Sequence, residues 1–313
     1  HLLLVANGTL ALQLAYAVLG VKGQNSKAIT TPFSFAATSN SLSWEGIHPV
    51  FADIDDQSFC LSADAIAAAM QPEIKAIVPV HVYGNACDVD AIERIAAQHN
   101  IKTIYDGAHA FGVTLRGKSL LSYGDAATLS LHATKLFHAV EGGAVIFKRA
   151  EDLERAKQYI NFGYRQPGDL QNIGINCKMS EFHAAMGLAV LDEIDTITQQ
   201  RAEIYHFYKN RLEGAVQFPL WHPDASENYA YFPVMLKDEQ QLLRVKAKFD
   251  QASIQARRYF FPSLDSLNYD NQQQCCPVSR SVASRALCLP LYPGLSKIDT
   301  KNIVDLLLSS VYF

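Results

Sequence analysis

Residues 75–106 read KAIVPVHV (75–82), YGNACD (83–88), VDAIERIAAQHN (89–100) and IKTIYD (101–106). The first run is almost wholly apolar and β-branched, as expected for a strand covered on both faces over Lys75–Val82. Asp88 can cap the helix that follows, in which Val89, Ile92, Ile95 and Ala96 share one face. A second strand, Lys102–Asp106, closes the unit. Two strands joined by a helix are parallel, and the α/β class follows from that.

The same alternation extends outward to about residue 150. Strands are expected at Leu2–Ala6, Lys27–Thr31, Pro49–Ile54, Ala126–Leu131 and Gly143–Lys148. Thr9–Leu19 is apolar nearly all round, which predicts a buried helix stopped near Gly20, and Ser62 can cap Ala63–Met70. Beyond residue 150 the texture changes. Helices are expected at Glu151–Phe162, Glu181–Ile194 and about Thr198–Leu212, a strand at Tyr229–Leu236 and a helix at Glu239–Gln251. Ser296 with Asp299 resembles a capping box for a last helix, Lys297–Ser310. This predicts a large α/β domain over residues 1–197, mostly parallel sheet between helices, and a smaller C-terminal α+β domain over 198–313.

The 313 residues are 49% hydrophobic and 19% charged, ordinary for a globular protein. A net charge of -4 gives no general attraction to nucleic acid or an anionic membrane. The apolar first twenty residues lack a basic leading region and are broken by Asn7-Gly8-Thr9, so they read as strand, turn and helix. The chain starts inside that strand, and an upstream segment is expected. Six cysteines without paired spacing argue against a metal site or disulfide framework, and for buried free thiols in a reducing cytoplasm.

Open parallel sheets bind ligands beyond the carboxyl ends of their strands. Four features fall there. Gly8 and Thr9 open a helix, where free amides favour a phosphate. Asp106 ends a strand and can stabilise positive charge on a ligand nitrogen. Lys135 follows Ser130-Leu131-His132-Ala133-Thr134; near a buried strand its amine is desolvated and becomes a Schiff-base former, with hydroxyls at Ser130 and Thr134 for a phosphate. Glu141-Gly142-Gly143 turns into the next strand. Each alone also reads as an ordinary turn, cap or surface residue. Together they suit a phosphorylated, positively charged aldehyde, and pyridoxal phosphate is that molecule. No dinucleotide or P-loop glycine motif is present.

Several segments, in order along nearly the whole chain, carry a family resemblance. They are residues 7–12, 31–38 (TPFSFAAT), 79–84 (PVHVYG), 105–110 (YDGAHA), 130–135 (SLHATK), 141–144 and 174–181 (GINCKMSE). With these the chain resembles the DegT/StrS sugar aminotransferases, which have the fold type I, aspartate-aminotransferase-like architecture. The resemblance implies that Lys135 holds pyridoxal 5'-phosphate as the internal aldimine and shifts protons, with pyridoxamine phosphate as intermediate. It implies that Asp106 keeps the ring nitrogen protonated, that Phe35 stacks on the ring, and that His109 lies near the ring oxygen. Gly8, Thr9 and Ser130 take the phosphate, and Asn176 reaches the phosphate of a neighbouring subunit, which makes a homodimer with a shared site the active unit.

Residues 130–135 and 257–262 (RRYFFP) are similar to those of enzymes that aminate carbon 4 of dTDP-4-keto-6-deoxyglucose. That adds His132, Arg257, Arg258 and Tyr259 as substrate contacts and glutamate as the amino-acid donor. Some family members are dehydratases with histidine in place of the lysine, and a non-catalytic regulatory protein on the same fold is a third alternative.

Overall fold

The computed structural model of the protein describes residues 1–23, 25–267 and 274–311. Its centre is a sheet of β1 (Leu2–Val5), β2 (Lys27–Thr30), β3 (His48–Phe51), β4 (Ile74–Val78), β5 (Lys102–Asp106), β6 (Ala126–Ser130) and β7 (Gly143–Phe147), in the order β1-β7-β6-β5-β4-β2-β3. Neighbours from β6 to β3 are parallel, while β7 runs antiparallel to both β1 and β6. The reversed strand follows from a short connection. Residues 131–142 fold back on themselves through the bonds Leu131 N to Gly142 O and Ala133 N to Val140 O, both 2.8 Å. A loop bonded to itself in this way holds no crossover helix, so the next strand returns antiparallel. Lys135 sits in this loop.

The first helix, Gly8–Leu19, is capped by Asn7, whose side chain accepts from Leu10 N, and ends at Gly20 in the left-handed region (φ 74°). Ala11, Leu12, Ala15 and Tyr16 bury one side of it against one face of the sheet. The other face of the sheet meets Ile66, Val89 and Ile92 from the helices Ala63–Ala68 and Val89–His99. Ser62 and Asp88 cap these two as expected, accepting from Ala65 N and Ala91 N.

The C-terminal stretch carries an antiparallel pair, Phe232–Met235 with Ala286–Leu289, flanked by Glu239–Gln251 and Lys297–Val311. Tyr205, Phe232, Phe249 and Leu307 lie in its own apolar cluster. The helix Ile194–Leu212 runs through position 198, and Phe260, Val282 and Cys288 pack into the cluster that holds Ile29 and Ile77.

Several elements were not anticipated. The helix Ala37–Trp44 is rich in Ser, Thr and Asn, poor helix formers without apolar periodicity. It forms because Leu42, Thr38, Ser39 and Ser41 are buried by the rest of the fold. The helix Pro277–Arg285 takes its N-terminal acceptor from far away, since the Asp53 carboxylate accepts from Val278 N and Ser279 N, both at 2.9 Å. The cysteines are free, but Cys275 is exposed rather than buried. Its neighbour Cys276 takes the inward position, with its amide donating to Asp265 Oδ2 at 2.8 Å. Among the described residues no helix is long and apolar enough to cross a membrane, and no cluster of metal-ligating side chains occurs.

Candidate active site

The carboxyl ends of β1, β2, β5 and β6 open on one cavity of about 440 Å³. That is within the usual range for a small-molecule site. Gly8, Thr9, Phe35, Asp106, His109, Ser130 and Lys135 all line it, as do His132, Arg257 and Tyr259. One residue expected there, Arg258, does not, and Asn176, expected to reach a neighbouring subunit's phosphate, stands apart from them. Asn176 is exposed on the stretch beside Asn161, outside the cavity of its own chain. Arg258 turns away: its Nη2 donates to Glu239 Oε1 (2.6 Å) and Ser284 O (3.2 Å), and its guanidinium lies 3.4 Å over the Phe261 ring.

One end of the cavity is made of backbone. The amides of Gly8 and Thr9 stand at a helix start, where no intrahelical acceptor exists for them. Two close approaches make this corner. A Cβ on Gly143 would lie 2.4 Å from the Asn7 carbonyl carbon and oxygen, and a Cβ on Gly8 would lie 2.9 Å from Ser130 Cβ. Side chains at either position would push β7 or the helix start out of place. The corner stays open to a group that wants several N–H donors and the hydroxyl of Ser130, which describes a phosphate.

At the floor, Asp106 is 6% exposed, accepts from Thr38 Oγ1 (2.8 Å) and Ala108 N (3.0 Å), and feels the charge of Lys135. Burial nevertheless raises its carboxyl above the ordinary range, with the two hydrogen bonds and Lys135 opposing. Burial lowers the Lys135 ammonium, with Asp106 opposing. Each group is costly to charge alone and is supported by the other. Between a phosphate corner and this pair, a cationic ring nitrogen would be met by Asp106 and an aldehyde by an amine whose burial eases its deprotonation. The residues present therefore fit pyridoxal phosphate.

His109 is buried, and burial together with Lys135 holds it well below the ordinary histidine range. Its Nδ1 accepts from Tyr83 N at 3.1 Å. His132 Nδ1 is 2.9 Å from Thr134 Oγ1, and its Nε2 is 3.7 Å from Glu141 Oε1. Phe35 is 64% exposed at the mouth. The reading of the sequence assigned no role to Thr38, Tyr231 or Phe260, although all three line the cavity. Thr38 lay within the quoted 31–38 segment, so its hydroxyl could have been flagged there. Phe260 likewise lay within the quoted 257–262 segment, whereas no local spacing points from Tyr231 to the strand ends.

Comparison with known proteins agrees with this geometry. Residues 1–308 match the DegT/DnrJ/EryC1/StrS aminotransferase family. The chain is 41% identical over 312 residues to a dTDP-4-amino-4,6-dideoxy-D-glucose transaminase of Shigella dysenteriae, covering 97% of this chain and 84% of the relative. It is 35% identical to an enzyme of the same name from Escherichia coli, covering 99% and 86%. The crystal structure of DesI in the presence of its TDP-sugar product superposes with a TM-score of 0.92 at 31% identity, over 99% of this chain and 80% of that one. The chain belongs to the DegT/DnrJ/EryC1/StrS aminotransferase family.

Proposed function

We propose that this protein uses pyridoxal phosphate to move an amino group from glutamate to carbon 4 of dTDP-4-keto-6-deoxyglucose, a nucleotide-linked keto sugar. The observation that carries the reading is Lys135 buried against Asp106 on the cavity floor. The names of the two transaminases described above support the sugar. The cofactor supplies a reactive aldehyde carbon and an electron-withdrawing ring. Lys135 Nζ would hold that carbon between turnovers, take the proton from the α-carbon of the donor, and return one to carbon 4 of the sugar. Asp106 would hold a proton at the ring nitrogen. Gly8 N, Thr9 N and the Ser130 hydroxyl would hold the phosphate, and Phe35 would cover the ring. Two half-reactions at one site predict ping-pong kinetics.

The region around Asn176 supports a homodimer with shared sites. Ile173 (95% exposed), Phe182 (89%) and Leu188 (66%) cluster in sequence about it, an apolar surface that a second copy would cover. Asn176 would then reach the partner's phosphate corner. We place the protein in the cytoplasm on its six free cysteines. Residues 1–197 would form the cofactor-holding domain and 198–313 the smaller one.

The test is incubation with glutamate and a panel of dTDP-, UDP- and GDP-linked keto sugars, with products read by mass spectrometry. The expected product is the dTDP sugar with its carbonyl oxygen exchanged for an amine. A sugar that loses oxygen without gaining nitrogen would establish the dehydratase alternative instead.

A further inference from the structure

His109 is held from three sides. Tyr83 N donates to Nδ1, so the neutral ring carries its proton on Nε2. Phe260 stacks on one face, with centroids 5.6 Å apart and planes within 8°. Tyr231 meets the ring edge-on at 4.8 Å and 65°. The two aromatic walls come from the C-terminal stretch, while His109 follows β5.

The segment that presents Tyr231 is itself over-determined. Tyr229 adopts φ 55°, a left-handed conformation that bulky residues rarely keep without support. Arg201, 8% exposed, supplies that support: its Nε donates to Tyr229 O (2.9 Å) and its Nη2 to Ala230 O (2.5 Å). No carboxylate is bonded to this buried guanidinium among the described residues. A charge placed in the interior only to bond two consecutive carbonyls is costly, and here it fixes the residue that follows them. Asn228 adds bonds from Nδ2 to His109 O (2.8 Å) and Phe111 O (2.9 Å), and its Oδ1 accepts from Ala230 N (3.1 Å). The strut therefore grips the backbone of His109 with Asn228 and its ring with Tyr231.

We propose that Tyr231 and Phe260 are positioning residues for His109, fixing the plane of its imidazole in the cavity, and that Arg201 acts through the Tyr229 and Ala230 carbonyls to hold Tyr231 in place. This rests on the pyridoxal phosphate reading, under which His109 Nε2–H is a fixed, neutral donor toward the bound cofactor. The hydroxyl of Tyr231 has no part in it; the contact of its ring with the imidazole does.

The experiment is titration of the full chain with pyridoxal phosphate, reading Kd from the visible band of the bound cofactor. Tyr231→Leu and Phe260→Leu should each weaken binding about fivefold, and Tyr231→Phe should restore it to within about twofold, given the usual strength of aromatic pairs. In a His109→Asn background the two leucine variants should cost nothing further, because the residue they position is gone. If the full loss persists in that background, both residues are merely structural and the inference fails. It also fails if both leucine variants bind as tightly as the unaltered chain. Should Tyr231→Leu not fold by circular dichroism, Phe260→Leu, which roughly conserves apolar volume, carries the same cycle. An unaltered chain that never develops the visible band sinks the functional reading, and this inference with it. A normal band with additive losses sinks the inference alone.

Discussion

The cavity has two unlike walls. The sheet-end wall, from Gly8, Asp106, Ser130 and Lys135, is backbone-built: strand ends, a helix start and a self-bonded loop fix every group. The other wall, from Tyr231, Arg257, Tyr259 and Phe260, is aromatic and held by side chains meeting edge-on or tilted, Tyr231 with Tyr259 at 85° and Tyr259 with Phe260 at 35°. The first wall sets ionisation, because burial is deep and each charge has a partner. The second has one guanidinium at its rim and little else that is charged. The difference suggests a division of labour under the proposed function: proton chemistry would fall to the strand ends, while the later segment would meet the substrate and brace His109.

The largest effect should come from Lys135→Ala. Under the proposed function it removes both the group that would hold the cofactor and the acid-base, so transfer should fall by about 10⁴-fold or more and the visible band of the lysine-bound cofactor should vanish. Retention of that band would break the comparison at its strongest point.

Asp106→Asn should come next, with transfer lowered about 10²–10³-fold. Its effect on stability has the opposite sign. Burial raises the Asp106 carboxyl, so ionising it costs the folded chain without cofactor more than it costs the unfolded one. The stability it lends is full below about pH 4, the ordinary carboxylate value, and is lost as pH rises through the raised folded value. The Asn variant escapes that loss. The Thr38 hydroxyl can accommodate it by turning toward Phe35 O, 3.4 Å away. The cofactor-free variant should thus gain in thermal midpoint over the unaltered chain as pH increases from about 4 toward neutral. A difference that stays flat with pH would show that Asp106 ionises freely.

The two walls also differ in how much of them the sequence discloses. Lys135, Asp106 and Gly8 are legible because strand ends are marked by apolar runs, and a parallel sheet brings all such ends to one edge. The seven strands and the Ser62 and Asp88 caps follow from local pattern alone. Arg258 was misplaced because adjacent arginines look alike in sequence. Only the packing of Glu239 and Phe261 separates it from Arg257. Tyr231 and Phe260 were missed as partners of His109 because they meet it across more than a hundred residues. The helix at Pro277 was missed for a similar reason, since its capping carboxylate belongs to Asp53. Contacts of that range leave no period or spacing to read.

The adjacent arginines give the smaller and sharper tests. Arg257 lies on the cavity rim, and its backbone is paired with Cys288, so its position does not depend on its side chain. That side chain has no protein acceptor among the described residues, leaving it free for an anionic group on the substrate. Arg257→Met should raise KM for the sugar nucleotide about tenfold to a hundredfold with kcat little changed, the signature of a charge-assisted bond made equally in ground and transition states.

Arg258 has the reverse character: 14% of its side chain is exposed, and it is spent on Glu239, Ser284 O and the Phe261 ring. Glu239 is 44% exposed, so solvent screens the ion pair and most of the effect must come through the ring contact. Arg258→Met should therefore cost about 1 kcal/mol of stability, seen as a lowered urea midpoint, while KM stays within about threefold. A KM rise equal to that of Arg257→Met would mean that Arg258 holds the rim in place. Recognition on this wall would then belong to the Arg257–Pro262 loop as a unit rather than to one side chain.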